Sequence, residues 1–589
     1  MTIRHILLAA SLSAIPASVV AQHATTLPAT LVPDPLAAPA LPAQLSADQR
    51  SAYRTVFAAI RGGDWATATA GLDAMPDGAL TPVARAELIL AKGSPKADDQ
   101  ALATLLIAGR DLPQAQQIAR LAQARGLMVP ALPIARDLVR MAGPPKRLNA
   151  RSPRNDSAAA ALAQQLTPLL KGDRPGDAEA ILTARLIDLL PEAQTEWLQR
   201  VAWAYYLTGD DANARRVALQ ARAGAGDWAV QADWVAGLAA WRSKDCNAAA
   251  TAFDAVASRA RDAEMIAAGL YWTTRADMAC GRPDRVEPRL RSAARLQETF
   301  YGMLAQAALG ITNNGDGGAR LSTADWTAIN ALPNVRRAAA LAEIGETALA
   351  DQLLRYQARI GTPRDHESLI HLAAQLEMPS TQIWLAQNGP SGSRLSASAR
   401  YPTPGWTPAS GWQVDKALIF AHALQESQFR PDATSSAGAR GVMQLMPGTA
   451  QMVARHQGRV IDPASLGQPA TSMDLGQQYL RELASNSGTA GLLPKVIAAY
   501  NAGPNSVANW NARGRNLADP LLFIESIPFT ETRSYVAIVL RNYWMYQRQA
   551  GARPASLTAI AQGLWPRFPG LPGRDAVRLS ALGTTASAD

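Results

Sequence analysis

The stretch HALQESQFRPDATSSAGARGVMQLMPGTA, residues 422–450, decides how this chain is read. It opens on an apolar helix and leaves one carboxylate, Glu426, at the end of it. Pro431 follows as a breaker, and then the small-residue run Ser435-Ser436-Ala437-Gly438-Ala439-Arg440-Gly441. Working back, residues 413–426 (QVDKALIFAHALQE) place Val414, Ala417, Leu418, Ala421 and Leu424 on one helical face. Ile419, Phe420 and Ala423 make most of the remaining surface apolar, so this helix is expected at the centre of a domain. Glu426 lies one turn beyond His422 and two beyond Ile419. Desolvation there disfavours the charged form and lifts a carboxyl pKa toward neutrality, where it can deliver a proton. A solvated or ion-paired helix-end Glu is the other reading of this helix taken alone.

The glycine-rich run allows a backbone to approach a ligand closely. Val442-Met443-Gln444-Leu445-Met446-Pro447 then offers an apolar wall with one amide. Gln444 suits a hydrogen bond to a sugar amide or hydroxyl, against a purely structural amide. Met443 reads equally as core packing. Two later segments have a similar character. Ile497-Ala498-Ala499-Tyr500-Asn501-Ala502-Gly503-Pro504 ends a helix, with Asn501 and Gly503 as terminators. Residues 524–536 bring Glu525, Glu531 and Arg533 before a last apolar helix, whose inner face is marked by Val536, Val539, Leu540 and Tyr543.

The whole chain sets the context. Its 589 residues suggest several domains, and 48% apolar with 18% charged residues is a folded composition. Abundant alanine and few aromatics favour helix. The net charge of +9 and pI of about 9.7 suit a polyanionic partner, whether nucleic acid, anionic lipid or an acidic wall polymer. No Lys/Arg tract marks a nucleic-acid footprint, and none is expected to bind here. Arg4 and His5 before the apolar run Ile6–Val20, with small residues up to Ala21, read as a secretory signal peptide over residues 1–21. The run is too short to span a membrane. Cys246 and Cys280 are the only cysteines, and a disulfide or two free thiols fit equally. His366 and His371 lack the spacing of a helical metal pair, so neither a metal site nor a cofactor is inferred.

Along the chain, residues 22–45 are Pro/Ala-rich and extended. A degenerate repeat follows, in which Gly or a polar turn meets an acidic residue. It occurs at Gly63-Asp64, Gly172-Asp173, Gly209-Asp210, Lys244-Asp245-Cys246 and Gly345-Glu346. Each turn lies between segments of helical periodicity, and those at 209 and 244 are about one hairpin repeat apart. Stacked helical hairpins make a solenoid, here over residues 46–310. Residues 311–411 read as a helical linker domain, with turn chemistry at Asn388–Ser393 and Tyr401–Gly405. A compact block covers 412–550, and 551–589 reads as a C-terminal tail. The fold class is mainly α.

The block resembles the catalytic domain of soluble lytic transglycosylases of the Slt type. The matching pieces are Glu426-Ser427, the run Gly441–Pro447, Ala499-Tyr500-Asn501 and the run Ile527–Val536. They occur in the family's order. The N-terminal two thirds is similar to that family's α-superhelical ring, more loosely. One departure is the stretch His422-Ala423-Leu424-Gln425, where the family often has a basic residue. The resemblance implies a lysozyme-like, mostly helical α+β domain. It also implies cleavage of the β-1,4 bond between N-acetylmuramic acid and N-acetylglucosamine in peptidoglycan, with 1,6-anhydro ends. Glu426 would be acid and then base, and Ser427, Met443, Gln444, Tyr500, Asn501, Glu525 and Tyr535 would line the glycan site. Tyr500 would hold the N-acetyl group or steady the developing positive charge, Ser427 would touch the sugar or Glu426, and Glu525 would orient a sugar or order Arg533. The expected location is the periplasm, the partner peptidoglycan glycan strands, and other cell-wall enzymes could dock on the helical domain. A lysozyme-like muramidase and a non-catalytic periplasmic scaffold are the alternatives.

Overall fold

The computed structural model describes residues 41–579 except 314, 316 and 514–517. The turns marked in the sequence are helix caps. Gly63 takes a left-handed conformation (φ 74°), and Asp64 beside it accepts from the Thr67 N–H at 3.1 Å. The device recurs at Gly209 (φ 85°) with Asp210, which accepts from Asn213 N at 3.1 Å. It recurs again at Lys244 (φ 60°) with Asp245, which accepts from Ala248 N at 3.0 Å. One residue ends a helix and its neighbour opens the next. At 172–173 the left-handed residue is Asp173 (φ 57°), and Pro175 opens the following helix. Glu346 makes no side-chain cap and pairs instead with Arg61 at 2.5 Å.

Twenty-seven α-helices result among the described residues, with two antiparallel pairs of two-residue strands. The expected mainly helical architecture is the one observed. The helices share two cores. One joins the helices from Ala47–Gly62 to Ala115–Gln123 with those from Thr323–Ile329 to Pro379–Gln387. Glu343 accepts from Gln44 N and pairs with Arg50, while Arg337 pairs with Asp111 at 2.7 Å. Val139–Arg140 pairs with Asn388–Gly389 beside this core. The other core joins the helices from Ser157–Lys171 to Phe300–Ala308 with the block that begins at helix Lys416–Ser427. The boundary drawn at 310/311 therefore does not separate the cores, because the N-terminal helices return to the 323–400 stretch.

Polar ties cross the second core. Arg147 meets Glu525 at 2.5 Å, Arg275 meets Asp519 at 2.6 Å, and Arg541 meets Glu264 at 3.3 Å. The segment read as a tail continues the core as far as it is described. It forms helix Ala555–Ala561 and the strand pair Trp565–Pro566/Ala576–Val577. Trp565 is fully buried, and Phe568 N donates to Gly491 O at 2.7 Å. Its Pro and Gly residues shape turns within a packed segment. The leader assigned to 1–21, the extended stretch through residue 40 and residues 580–589 lie outside the described residues.

Cys246 and Cys280 form a disulfide. It ties the start of helix Cys246–Arg259 to the residue that ends helix Ala263–Ala279. Closing a loop of this length restricts the unfolded chain, so replacing both cysteines by serine should cost about 4 kcal/mol. Denaturant unfolding with and without reductant checks this. The double variant should be insensitive to reductant, and the parent should fall to its level when reduced.

Candidate active site

Helix Lys416–Ser427 starts later than its apolar pattern, because Asp415 caps it by accepting from Ala417 N at 2.9 Å. It also ends before Pro431. Gln428 and Phe429 both turn left-handed (φ 55° and 58°), which is costly for residues bearing a Cβ. Phe429 is fully buried and edge-on to Phe420 at 5.6 Å, and this packing offsets the strain. Helix Thr530–Gln549 holds the same helix at both ends. Tyr543 donates to Asp415 Oδ2 at 2.6 Å, and Tyr535 donates to Glu426 Oε1 at 2.5 Å. Val536, Val539 and Leu540, on the face expected to point inward, are fully buried.

Glu426 is half-buried, reachable from solvent yet closely walled by protein. Desolvation pushes its pKa up to about 7. The Tyr535 hydroxyl works in the opposite direction, and the charge of Glu531 adds to the rise. Glu531 is exposed, and its carboxylate reaches Glu426 electrostatically, which its place in the sequence did not reveal. His422 sits one turn back and is fully buried. Its Nδ1 lies 3.2 Å from Tyr535 Oη, and its ring centroid is 4.8 Å from that of Tyr500. Burial lowers its pKa to about 3, so the ring is neutral. The sequence reading gave His422 no role, although its i,i+4 spacing to Glu426 was the available signal.

The other expected site residues divide into two groups. Ser427 is 1% exposed, and its hydroxyl donates to Val442 O at 2.9 Å. It ties the helix end to the loop rather than reaching toward Glu426. Gln444 has φ 47° and donates to Ala433 O at 3.0 Å and Gly441 O at 2.9 Å, so its NH2 group holds the loop closed. A Cβ on Gly441 (φ 76°) would lie 2.0 Å from Leu466 O. The close approach that requires glycine there is to this chain's own backbone. The Met443 side chain is fully buried against Gly476. What Met443 offers near the acid is its carbonyl, which accepts from the Tyr500 hydroxyl at 2.8 Å. Asn501 Oδ1 accepts from Thr532 at 2.6 Å, joining helix Leu493–Ala502 to helix Thr530–Gln549.

Glu525 lies apart from this group. It is 1% exposed, and Arg147 holds it by two bonds of 2.5 and 2.8 Å, with Tyr301 donating at 2.7 Å. Burial works to raise its pKa, but the Arg147 charge beside it prevails and keeps it low. Arg533 bonds the carbonyls of Glu525 and Ile527, and the Glu525 carboxylate adds a charge interaction with it. Beyond Arg533 opens a cavity of 680 Å³ between the helical hairpins and helix Thr530–Gln549, walled by Trp203, Trp234, Trp510 and Arg200. The structure thus gathers Glu426, Tyr535, Tyr500 and the Met443 carbonyl. It uses Ser427, Gln444 and Asn501 as scaffold.

Residues 407–523 match the family described as Transglycosylase SLT domain. The soluble lytic murein transglycosylase of Escherichia coli (strain K12) is 35% identical to it over 156 residues, which are 26% of this chain and 24% of that protein. A putative soluble lytic murein transglycosylase of Haemophilus influenzae is 39% identical over 139 residues, 23% of this chain and 22% of that protein. The chain therefore spans only about a quarter of the length of these curated relatives. A solved structure of an inactive Glu-to-Gln mutant of the lytic transglycosylase Slt from Pseudomonas aeruginosa superposes with a TM-score of 0.52. It is 18% identical and covers 85% of this chain and 86% of that one, so the fold extends well beyond the SLT domain.

Two stability predictions follow from this geometry. Glu525→Gln leaves the half-buried Arg147 without its counter-charge and should cost about 2–4 kcal/mol in denaturant unfolding. For Glu426 the folded pKa of about 7 exceeds the ordinary 4.5, so protonation favours the fold. Stability that is complete below pH 4.5 is lost as pH rises through 7. Glu426→Gln escapes this loss. It should be more stable than the parent by about 1–2 kcal/mol at pH 8, after allowing for solvent screening, and equal to it at pH 4.

Proposed function

We propose that this chain is a peptidoglycan lytic transglycosylase, with Glu426 as acid and then base. The observation that carries the reading is a single solvent-reachable carboxyl whose surroundings raise its pKa to about 7 and whose Oε1 already holds a tyrosine hydroxyl. The names of the relatives supply the substrate class, murein. Protonated Glu426 gives its proton to the glycosidic oxygen as the bond from C1 breaks. The substrate's N-acetyl group supports the positive charge at C1. Ionised Glu426 then takes the proton of the muramoyl C6 hydroxyl, whose oxygen bonds to C1. One bond breaks, one forms, the acid is restored and no water is consumed. Tyr535 donates to the carboxylate in the middle of this cycle, when Glu426 carries charge. Tyr500 has spent its hydrogen on Met443 O, so its oxygen is left to accept an N-acetyl N–H.

The same reading places the protein in the periplasm. The Cys246–Cys280 disulfide suits an oxidising compartment. Glycan strands are the partner, and the cavity walled by tryptophans and arginines offers faces for a long polymer. Other wall enzymes remain candidates for the hairpin surface, testable by pull-down with residues 45–390.

Digestion of purified sacculi followed by mass spectrometry tests the activity. Anhydro ends are lighter by one water than reducing ends. The parent should release anhydro-muropeptides, and its rate should fall as pH rises through about 7, because the acid must be protonated. Glu426→Gln should bind sacculi and release none. Reducing ends would mean a muramidase. No digestion by the parent would mean a scaffold, and ordinary activity in the variant would remove Glu426 from the mechanism.

A further inference from the structure

We propose that His422 is a positioning residue which, through Tyr535, fixes the oxygen of Glu426 that carries the catalytic proton. The proposal rests on the reading of Glu426 as the acid. Around that carboxyl, the titratable groups are Tyr535 and Glu531 on helix Thr530–Gln549, Tyr500 on helix Leu493–Ala502 and His422 on its own helix.

His422 is fully buried with two tyrosine rings against it, and its Nε2 has no hydrogen-bond partner among the described residues. A neutral imidazole carries one N–H, on either nitrogen. With the hydrogen on Nε2, a buried donor would be orphaned. Nδ1 would then claim the Tyr535 hydrogen and draw it away from Glu426. With the hydrogen on Nδ1, the orphan is only an acceptor lone pair, which proteins tolerate more readily than an unpaired donor. Nδ1–H then donates to Tyr535 Oη at 3.2 Å, and the tyrosine hydrogen points at Glu426 Oε1, 2.5 Å away.

The chain His422 to Tyr535 to Glu426 therefore runs in one direction. Oε1 accepts a hydrogen bond throughout, so the ionisable proton resides on Oε2. The same oxygen gives the proton to the leaving group and takes it back from the C6 hydroxyl. The imidazole also polarises the tyrosine and strengthens its bond to the carboxylate form.

The first test needs no substrate. In 15N-histidine NMR, with His422 assigned by its loss in His422→Asn, Nδ1 should be protonated and Nε2 bare from pH 5 to 9. A protonated Nε2 overturns the proposal. In 13C-glutamate NMR, with Glu426 assigned through Glu426→Gln, the Glu426 carboxyl should titrate about half a pH unit higher in His422→Phe, a roughly threefold change in its ionisation constant. His422→Asn places an amide N–H where Nδ1–H stood and should titrate with the parent. Tyr535→Phe should move the carboxyl at least as far as His422→Phe, and combining the two should move it no further. On sacculi, His422→Phe should lower kcat about tenfold with little change in KM, and His422→Asn should recover most of it. Equal impairment of Phe and Asn, or additive Tyr535 and His422 effects, would reduce His422 to packing. If the parent fails to cleave sacculi, the enzymatic reading falls, while the NMR arms still decide the hydrogen-bond direction. If His422→Phe fails to fold, the tautomer in the parent decides alone.

Discussion

A carboxyl group used as an acid near neutral pH must be short of water and still within reach of it. Here one contact between two helices meets both demands. Helix Lys416–Ser427 lies against helix Thr530–Gln549 with a tyrosine bond near each end, and the second bond falls on Glu426 itself. Packing supplies the desolvation, and the early left-handed exit at Gln428 and Phe429 leaves the carboxyl at an opening rather than in the core. The loop that follows is tied down by the Ser427 hydroxyl and the Gln444 amide. Most residues beside the acid are thus occupied in holding its surroundings in place.

The helical hairpins reach the same block through charge. Arg147, Arg275 and Glu264 come from the helical part of the chain, and Glu525, Asp519 and Arg541 come from the block. Buried pairs of this kind add little net stability but penalise any arrangement that separates them. They fix how the cavity beside Arg533 faces the block.

Much of this was legible from residues alone. The helix pattern of 413–426 announced a carboxyl held among apolar residues at Glu426, and the Asp residues after the turns announced the hairpins. What stayed hidden was long-range. Ser427 and Gln444 carry groups that suit a sugar, and only the fold shows those groups bonded to Val442, Ala433 and Gly441. Glu525 sits just before the run Ile527–Val536, and its partner Arg147 is far away in the chain. The return of the N-terminal helices to the 323–400 stretch leaves no local trace. The Pro and Gly content of 551–579 looked like a tail because composition does not say what Trp565 packs on. Glu531, passed over beside the more apolar Glu426, shows that electrostatic reach does not follow sequence setting.

The helix that clamps the acid has a consequence for what counts as a module here. The family match closes at residue 523, and Tyr535 and Tyr543 lie beyond it. A fragment cut to residues 407–523 would keep Glu426 and Asp415 but lose the tyrosine that holds each of them, and Glu525 with them. The border of the family match is therefore not the border of the core, which takes in the closing helix and the hairpins as well.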